Sequence, residues 1–135
     1  MTSDSTQYKT GLVFGVFDGL HDGHQHLLSE AMRQCEELIV VVTLDAVVSI
    51  LKNHPPKYSY EERAEAIRNF NSDLIIVPSD PTLGGWDILE RHQPDIIFLG
   101  YDQEAIAREM QRLERPFIVI DAHHPDTLQS SILNA

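Results

Sequence analysis

Five short apolar runs, each set apart from the next by residues of helical periodicity, restrict this chain more than any other feature. The clearest is Leu38-Ile39-Val40-Val41-Val42-Thr43-Leu44. A near-continuous apolar, β-branched run of that length suits a strand covered on both faces. Gly11 to Phe17 reads the same way, and Leu74 to Val77 (ended by Pro78), Asp95 to Leu99 and Phe117 to Ile120 supply the others. Asp22 to Cys35 carries Leu27, Leu28, Ala31 and Met32 on one face, which predicts a helix. Tyr60 to Asn71, with Glu61 and Glu62 in its first turn, predicts another, as do Trp86 to His92 and Gln103 to Leu113. Ala46 to Ser59 has no clear pattern, and Pro55-Pro56 makes its second half a loop. Strands alternating with helices predict an α/β fold: one five-stranded, mostly parallel sheet with helices on both faces. The polar residues 1–10 read as a flexible tail ahead of a single domain at 11–135, and Thr127 to Asn134 as a short final helix.

In an open parallel sheet, ligands bind beyond the carboxyl ends of the strands, where the strand order reverses. His21, Asp45, Asp102 and the loop after Ile120 all fall on that rim. The densest chemistry there is Gly15-Val16-Phe17-Asp18-Gly19-Leu20-His21-Asp22-Gly23-His24, a strand end running into a helix start. Unpaired backbone N–H groups at a helix N-terminus receive anions. Two imidazoles beside them suit the charge that builds on a phosphate under attack. Two other readings of His21 and His24 stand beside this one: a capping role at a tight turn, and a metal site shared with His26. Asp18 reads as a brace for the turn through backbone hydrogen bonds rather than as a base. Arg63 reads equally as a structural ion pair within its helix.

The chain of 135 residues carries a net charge of −11, which argues against non-specific binding to nucleic acid or an anionic membrane. No apolar run approaches the roughly 20 residues of a spanning helix. The single Cys35 excludes an intrachain disulfide. With the polar N-terminus, these features predict a soluble cytoplasmic protein.

The Gly15–His24 run resembles the G-x-F-D-x-x-H-x-G-H pattern of the cytidylyltransferase-like nucleotidyltransferase superfamily. Lys52 followed by Tyr58-Ser59-Tyr60-Glu61-Glu62-Arg63 is similar to that family's lysine loop and helix start. Leu99-Gly100-Tyr101-Asp102-Gln103 is similar to the fourth-strand motif of the archaeal FAD synthetase branch. Glycerol-3-phosphate cytidylyltransferase has a comparable layout, including a Trp near the position of Trp86. The resemblance implies a Rossmann-like domain that transfers a nucleoside monophosphate from ATP or CTP to a phosphate-bearing acceptor, releasing pyrophosphate. It implies Mg2+ carried with the triphosphate, no metal held by the protein's own residues, and a homodimer as a common assembly.

By position, the resemblance makes His21 and His24 contacts for the α-phosphate and the leaving oxygen, and Lys52 the cation on the transferring or accepting phosphate. The backbone of Gly15, Val16, Phe17 and Asp18 lines the nucleotide, Gly23 permits close approach, and Gly100 and Asp102 lie near base and ribose. Ser130 and Ser131 match a late serine/threonine pair on the outer phosphates. Departures from the pattern are Val16 where Thr or Asn is common, His124 nearest a usual Arg, and Asn134 near the end where a basic residue is common. FMN is the favoured acceptor, on the Leu99–Gln103 motif, and a polyol phosphate with CTP is the alternative. The departures motivate a second alternative, a non-catalytic nucleotide-binding module, and a hydrolase in which water replaces the acceptor is a third.

Overall fold

The computed structural model describes residues 7–82 and 85–121. They form β1 (Tyr8–Gly15), α1 (Asp22–Gln34), β2 (Cys35–Val42), α2 (Asp45–Lys52), α3 (Tyr60–Phe70), β3 (Ile75–Pro78), α4 (Asp87–His92), β4 (Ile96–Gly100), α5 (Glu104–Arg112) and β5 (Phe117–Ile120). The five strands make one sheet in the order β3-β2-β1-β4-β5. Every pairing in it is parallel. The expected α/β architecture is therefore realised, and β1 lies at its centre, where the strand order reverses.

Burial explains the order. Leu38 to Val42 of β2 and Leu12 to Phe14 of β1 are all buried, as strands covered on both faces must be. One core lies under α1 and α3, where Leu28 and Ile67 pack with Val13, Val40 and Phe98. The other lies under α4 and α5, where Ile88, Leu89 and Met110 pack with Leu12, Val41 and Leu99. Successive side chains along one strand thus feed opposite cores. Among the described residues, no helix is long and apolar enough to cross a membrane.

Several boundaries differ from the sequence expectation. Residues 1–10 do not all precede the domain, because Tyr8 to Thr10 belong to β1 and pair with Cys35 to Glu37 of β2. β1 ends at Gly15 rather than Phe17, since Phe17 takes φ of 54°, which no strand residue adopts. The unpatterned stretch after β2 contains α2, and the Pro55-Pro56 segment after it is a loop as expected. Pro78 closes β3 from within, which an edge strand tolerates. The terminal helix expected at Thr127 to Asn134 lies outside the described residues.

Leu28 is fully buried between α1 and the sheet. Leu28→Ala is expected to destabilise the fold by about 2–5 kcal/mol, the cost of a core cavity. Urea denaturation with an unchanged m-value checks this.

Candidate active site

The turn after β1 is built around His21. Its backbone is the N-cap of α1, and its ring Nδ1 accepts from the N–H of Gly23 at 3.1 Å and of His24 at 3.4 Å. His24 Nδ1 in turn accepts from the His21 N–H at 3.4 Å, which completes a capping box made of two imidazoles. The rings stack with centroids 3.7 Å apart and planes 17° from parallel. Gly23 suits this place because a Cβ would stand 3.0 Å from His21 Cε1, so any larger residue would push on the capping ring.

This corrects one expectation. The N–H groups of Gly23 and His24 are not left open for an anion, because the His21 ring occupies them. A lone pair that accepts two N–H groups cannot also carry a proton, so neutral His21 holds its hydrogen on Nε2. The capping reading and the ligand reading thus use different nitrogens of one ring.

Both rings line a cavity of about 840 Å³ at the carboxyl ends of β1 and β4. The structure brings the expected residues of the described chain together there: Gly15, Val16, Phe17, Asp18 and Gly23 on one side, Gly100 and Asp102 on the other. Lys52 joins them from the last turn of α2 rather than from a loop. Ser130 and Ser131 lie outside the described residues. The residues Tyr101, Gln103 and Asp121 also line the cavity. Among the described residues, no three His, Cys, Asp or Glu side chains gather to hold a metal, so the His21–His24–His26 metal reading is not supported.

His24 is not an ordinary surface imidazole. Burial pushes its pKa down to about 4, with His21 and Lys52 acting in the same direction and the Gly19 carbonyl and Asp102 opposing. At neutral pH, with the site free of ligand, His24 is uncharged.

Asp18 braces the site, but across a long sequence distance rather than within its own turn. Its carboxylate accepts from the N–H groups of Lys57 at 2.7 Å and Tyr58 at 2.9 Å. Burial works to raise its pKa, and those two donors, with the charges of Arg63 and Lys57, outweigh it and hold the carboxyl below its usual range. Arg63 does not pair within its helix. It reaches Asp45 at the start of α2, which takes Asp45 away from the role expected of a rim residue. Gln103 was legible only as part of a motif, yet it ties two strand ends together: its Oε1 accepts from Gly100 N–H and its Nε2 donates to the Phe14 carbonyl.

A second cavity, of about 400 Å³, adjoins the first and shares Phe14, Gly15, Val16 and Gln103 with it. Its other walls include Val41, Val47, Leu51, Ile88 and Ile106, so it is largely apolar. Trp86 stands in it, edge-on to Phe14 with ring centroids 5.5 Å apart, and its indole N–H donates to Glu109. The sequence offers Trp86 only as a helix start and a point of likeness to glycerol-3-phosphate cytidylyltransferase; its place in this wall needed the tertiary fold.

The family described as Cytidylyltransferase-like matches residues 12–130. The FAD synthase of Pyrococcus horikoshii is 39% identical over 104 residues, which are 75% of this chain and 68% of that protein. The FAD synthase of Pyrococcus abyssi is 37% identical over 100 residues, 74% of this chain and 68% of that protein. Among solved structures, the lipopolysaccharide core biosynthesis protein of Thermoplasma volcanium superposes with a TM-score of 0.69 at 27% identity, covering 86% of this chain and 97% of that one.

The low pKa of His24 has a consequence for stability. Unfolded, its ring protonates near 6.5; folded, only near 4. Between those values the unfolded chain binds more protons, so stability present at pH 7 is expected to fall as the pH drops from about 6.5 to about 4. A pKa unit corresponds to about 1.4 kcal/mol, and because His24 is only partly buried, solvent screening cuts the loss from this group to roughly 1–2 kcal/mol. Denaturation at pH 7 and 4.5 of the wild type and of His24→Asn checks it: the wild type should lose more.

Proposed function

The chain belongs to the cytidylyltransferase-like family and is a nucleotidyltransferase, and we propose that it transfers AMP from ATP to FMN, forming FAD and releasing pyrophosphate. The observation that carries this reading is the pair of adjoining cavities at the end of β1, one lined by the imidazoles and Lys52, the other apolar and walled by Trp86. ATP occupies the first and the flavin ring the second. A flat aromatic ring of that kind gains from apolar walls and an aromatic neighbour. Glycerol 3-phosphate, the alternative acceptor, has no apolar surface to place there. The names of the two archaeal relatives support FMN in the same sense.

In this reading a phosphate oxygen of FMN attacks the α-phosphorus of ATP, and the bond from that phosphorus to the bridging oxygen breaks as pyrophosphate leaves. The residues position the reactants and stabilise charge. His21 donates from Nε2 to an α-phosphate oxygen. His24 starts neutral, and the arriving phosphates raise its proton affinity, so that positive charge develops where negative charge does. Lys52 neutralises the transferring or accepting phosphate. Gly15, Val16, Phe17, Asp18 and Gly23 line the phosphates, and Gly100 and Asp102 the ribose and base. Enzymes of this kind use a divalent metal. No resident cluster for one is assembled among the described residues, so we assign it, as Mg2+, to the triphosphate as part of the substrate.

Asparagine places an acceptor close to the position of Nδ1 and carries nothing at Nε2. His21→Asn is therefore expected to keep the helix cap and Tm while kcat falls about 10²–10³-fold, the usual effect of removing one aimed donor. Pyrophosphate release is expected from ATP with FMN, and far more weakly from CTP with glycerol 3-phosphate. Full activity in His21→Asn would sink the catalytic assignment. Tight nucleotide binding with no pyrophosphate release from any pair would establish the non-catalytic alternative. Trp86 is the chain's single tryptophan, so FMN bound beside it should quench nearly all intrinsic fluorescence.

A further inference from the structure

Arg63 heads the fully buried side chains among the described residues, with none of its side chain exposed. It sits on the apolar face of α3 beside Ala64 and Ile67. Three of its nitrogens hold three separate segments. Nε donates to the Tyr58 carbonyl at 2.9 Å, Nη1 to the Val16 carbonyl at 2.8 Å, and Nη2 to Asp45. Replacing a buried charge network by apolar groups of similar volume is often neutral for stability. That equivalence does not extend to Arg63 alone, because two of its acceptors are backbone carbonyls that a substitution at this position would leave without their donor, so the guanidinium contributes to stability as well as to geometry.

What the guanidinium does secure is the peptide plane between Val16 and Phe17. Phe17 takes φ of 54°, a conformation that bulky residues rarely adopt without external restraint. Its buried ring lies edge-on to His24, with centroids 5.1 Å apart. The ring presses on Gly15 so closely that a Cβ there would meet Phe17 Cε2 at 2.5 Å. Tyr58 is gripped from both sides, its N–H by Asp18 and its carbonyl by Arg63. The turn at Val16–Asp18 and the segment Lys57–Tyr58 are thus locked together by one carboxylate and one guanidinium.

We propose that Arg63 is a positioning residue for catalysis: by holding the Val16 carbonyl it imposes the left-handed conformation of Phe17, whose ring fixes the imidazole of His24. The kinetic arm of the test rests on the nucleotidyltransferase reading, and the spectroscopic arm does not. Arg63→Met fills the same volume without donors. It is expected to remain folded, with kcat reduced at least 10-fold and KM for ATP changed less. The NMR titration midpoint of His24 is expected to rise from about 4 toward the ordinary 6.5 as its ring loses packing. Because the effect passes through Phe17, the Arg63→Met/Phe17→Leu double variant should lose no more activity than the worse single variant. A lower Tm with kcat of the folded protein and the His24 titration unchanged, or losses that multiply in the double variant, would overturn the proposal. If Arg63→Met does not fold, Arg63→Lys keeps the charge but cannot span three acceptors, and the same readouts decide. A wild type that transfers no nucleotide would refute the function while leaving the His24 titration to judge Arg63.

Discussion

An imidazole has two nitrogens, and in His21 the fold consumes one of them. Nδ1 accepts the N–H groups of Gly23 and His24, and this single commitment starts α1, fixes the tautomer and brings the second ring into a 3.7 Å stack. Stacked rings that close resist carrying two charges at once. Burial settles which ring yields, and it is His24 that stays neutral. The site therefore holds a neutral His24 beside an open cavity. Charge can appear there when an anion brings the compensation that the protein alone withholds.

The sheet order puts that pair where it can be used. β1 lies between β2 and β4, and its carboxyl end opens toward both faces of the sheet. Phe14, Gly15 and Val16 consequently border both cavities. Gln103 fixes the gap between the β1 and β4 ends through its two hydrogen bonds, one to each strand. A nucleotide and an acceptor lying in the two cavities would meet over one short stretch of backbone. Their relative placement is then a property of strand register, which side-chain motion does not easily disturb.

Local pattern made much of this legible before any coordinates. β2 announces itself by continuous apolar residues, α1 by its face of Leu27, Leu28 and Ala31, and α3 by Glu61 and Glu62 in its first turn, whereas its Ser59–Glu62 capping box emerges only in the structure. His21 and Asp102 were legible because strand ends in a parallel sheet converge on one rim, and Lys52, Gly100 and Gly23 through the family resemblance. Where reading failed, the deciding force was non-local. Tyr8 to Thr10 look like polar tail and become strand only through pairing with β2. α2 buries just Val47 and Val48 while Ile50 and Leu51 face outward, which blurs its period. Asp18 finds its partners 39 and 40 residues away. Arg63 was legible as part of the Tyr58–Arg63 motif and as a charged residue at a position of α3 whose neighbours Ala64 and Ile67 call for apolar character, but not as a bridge between segments. Its three acceptors come from segments that only the fold assembles.

The electrostatics carry the last step. Among its described lining residues, the histidine cavity presents Lys52 as its one Lys or Arg against four carboxylates, Asp18, Asp22, Asp102 and Asp121. On a chain of net charge −11, such a cavity repels a bare triphosphate. Asp18 is occupied by two backbone N–H groups, which spread its charge into the Lys57–Tyr58 peptides. Asp102 and Asp121 sit beyond β4 and β5, where acceptors suit the hydroxyls of a ribose better than the oxygens of a phosphate. In the proposed reading the phosphate end is left with His21, His24 and Lys52. Their combined charge falls short of a triphosphate's, and in that reading a divalent ion carried on the phosphates would make good the deficit. In the proposed reaction, charge in this site is thus delivered with the substrate: His24 rests neutral and gains a proton only when the anion is present.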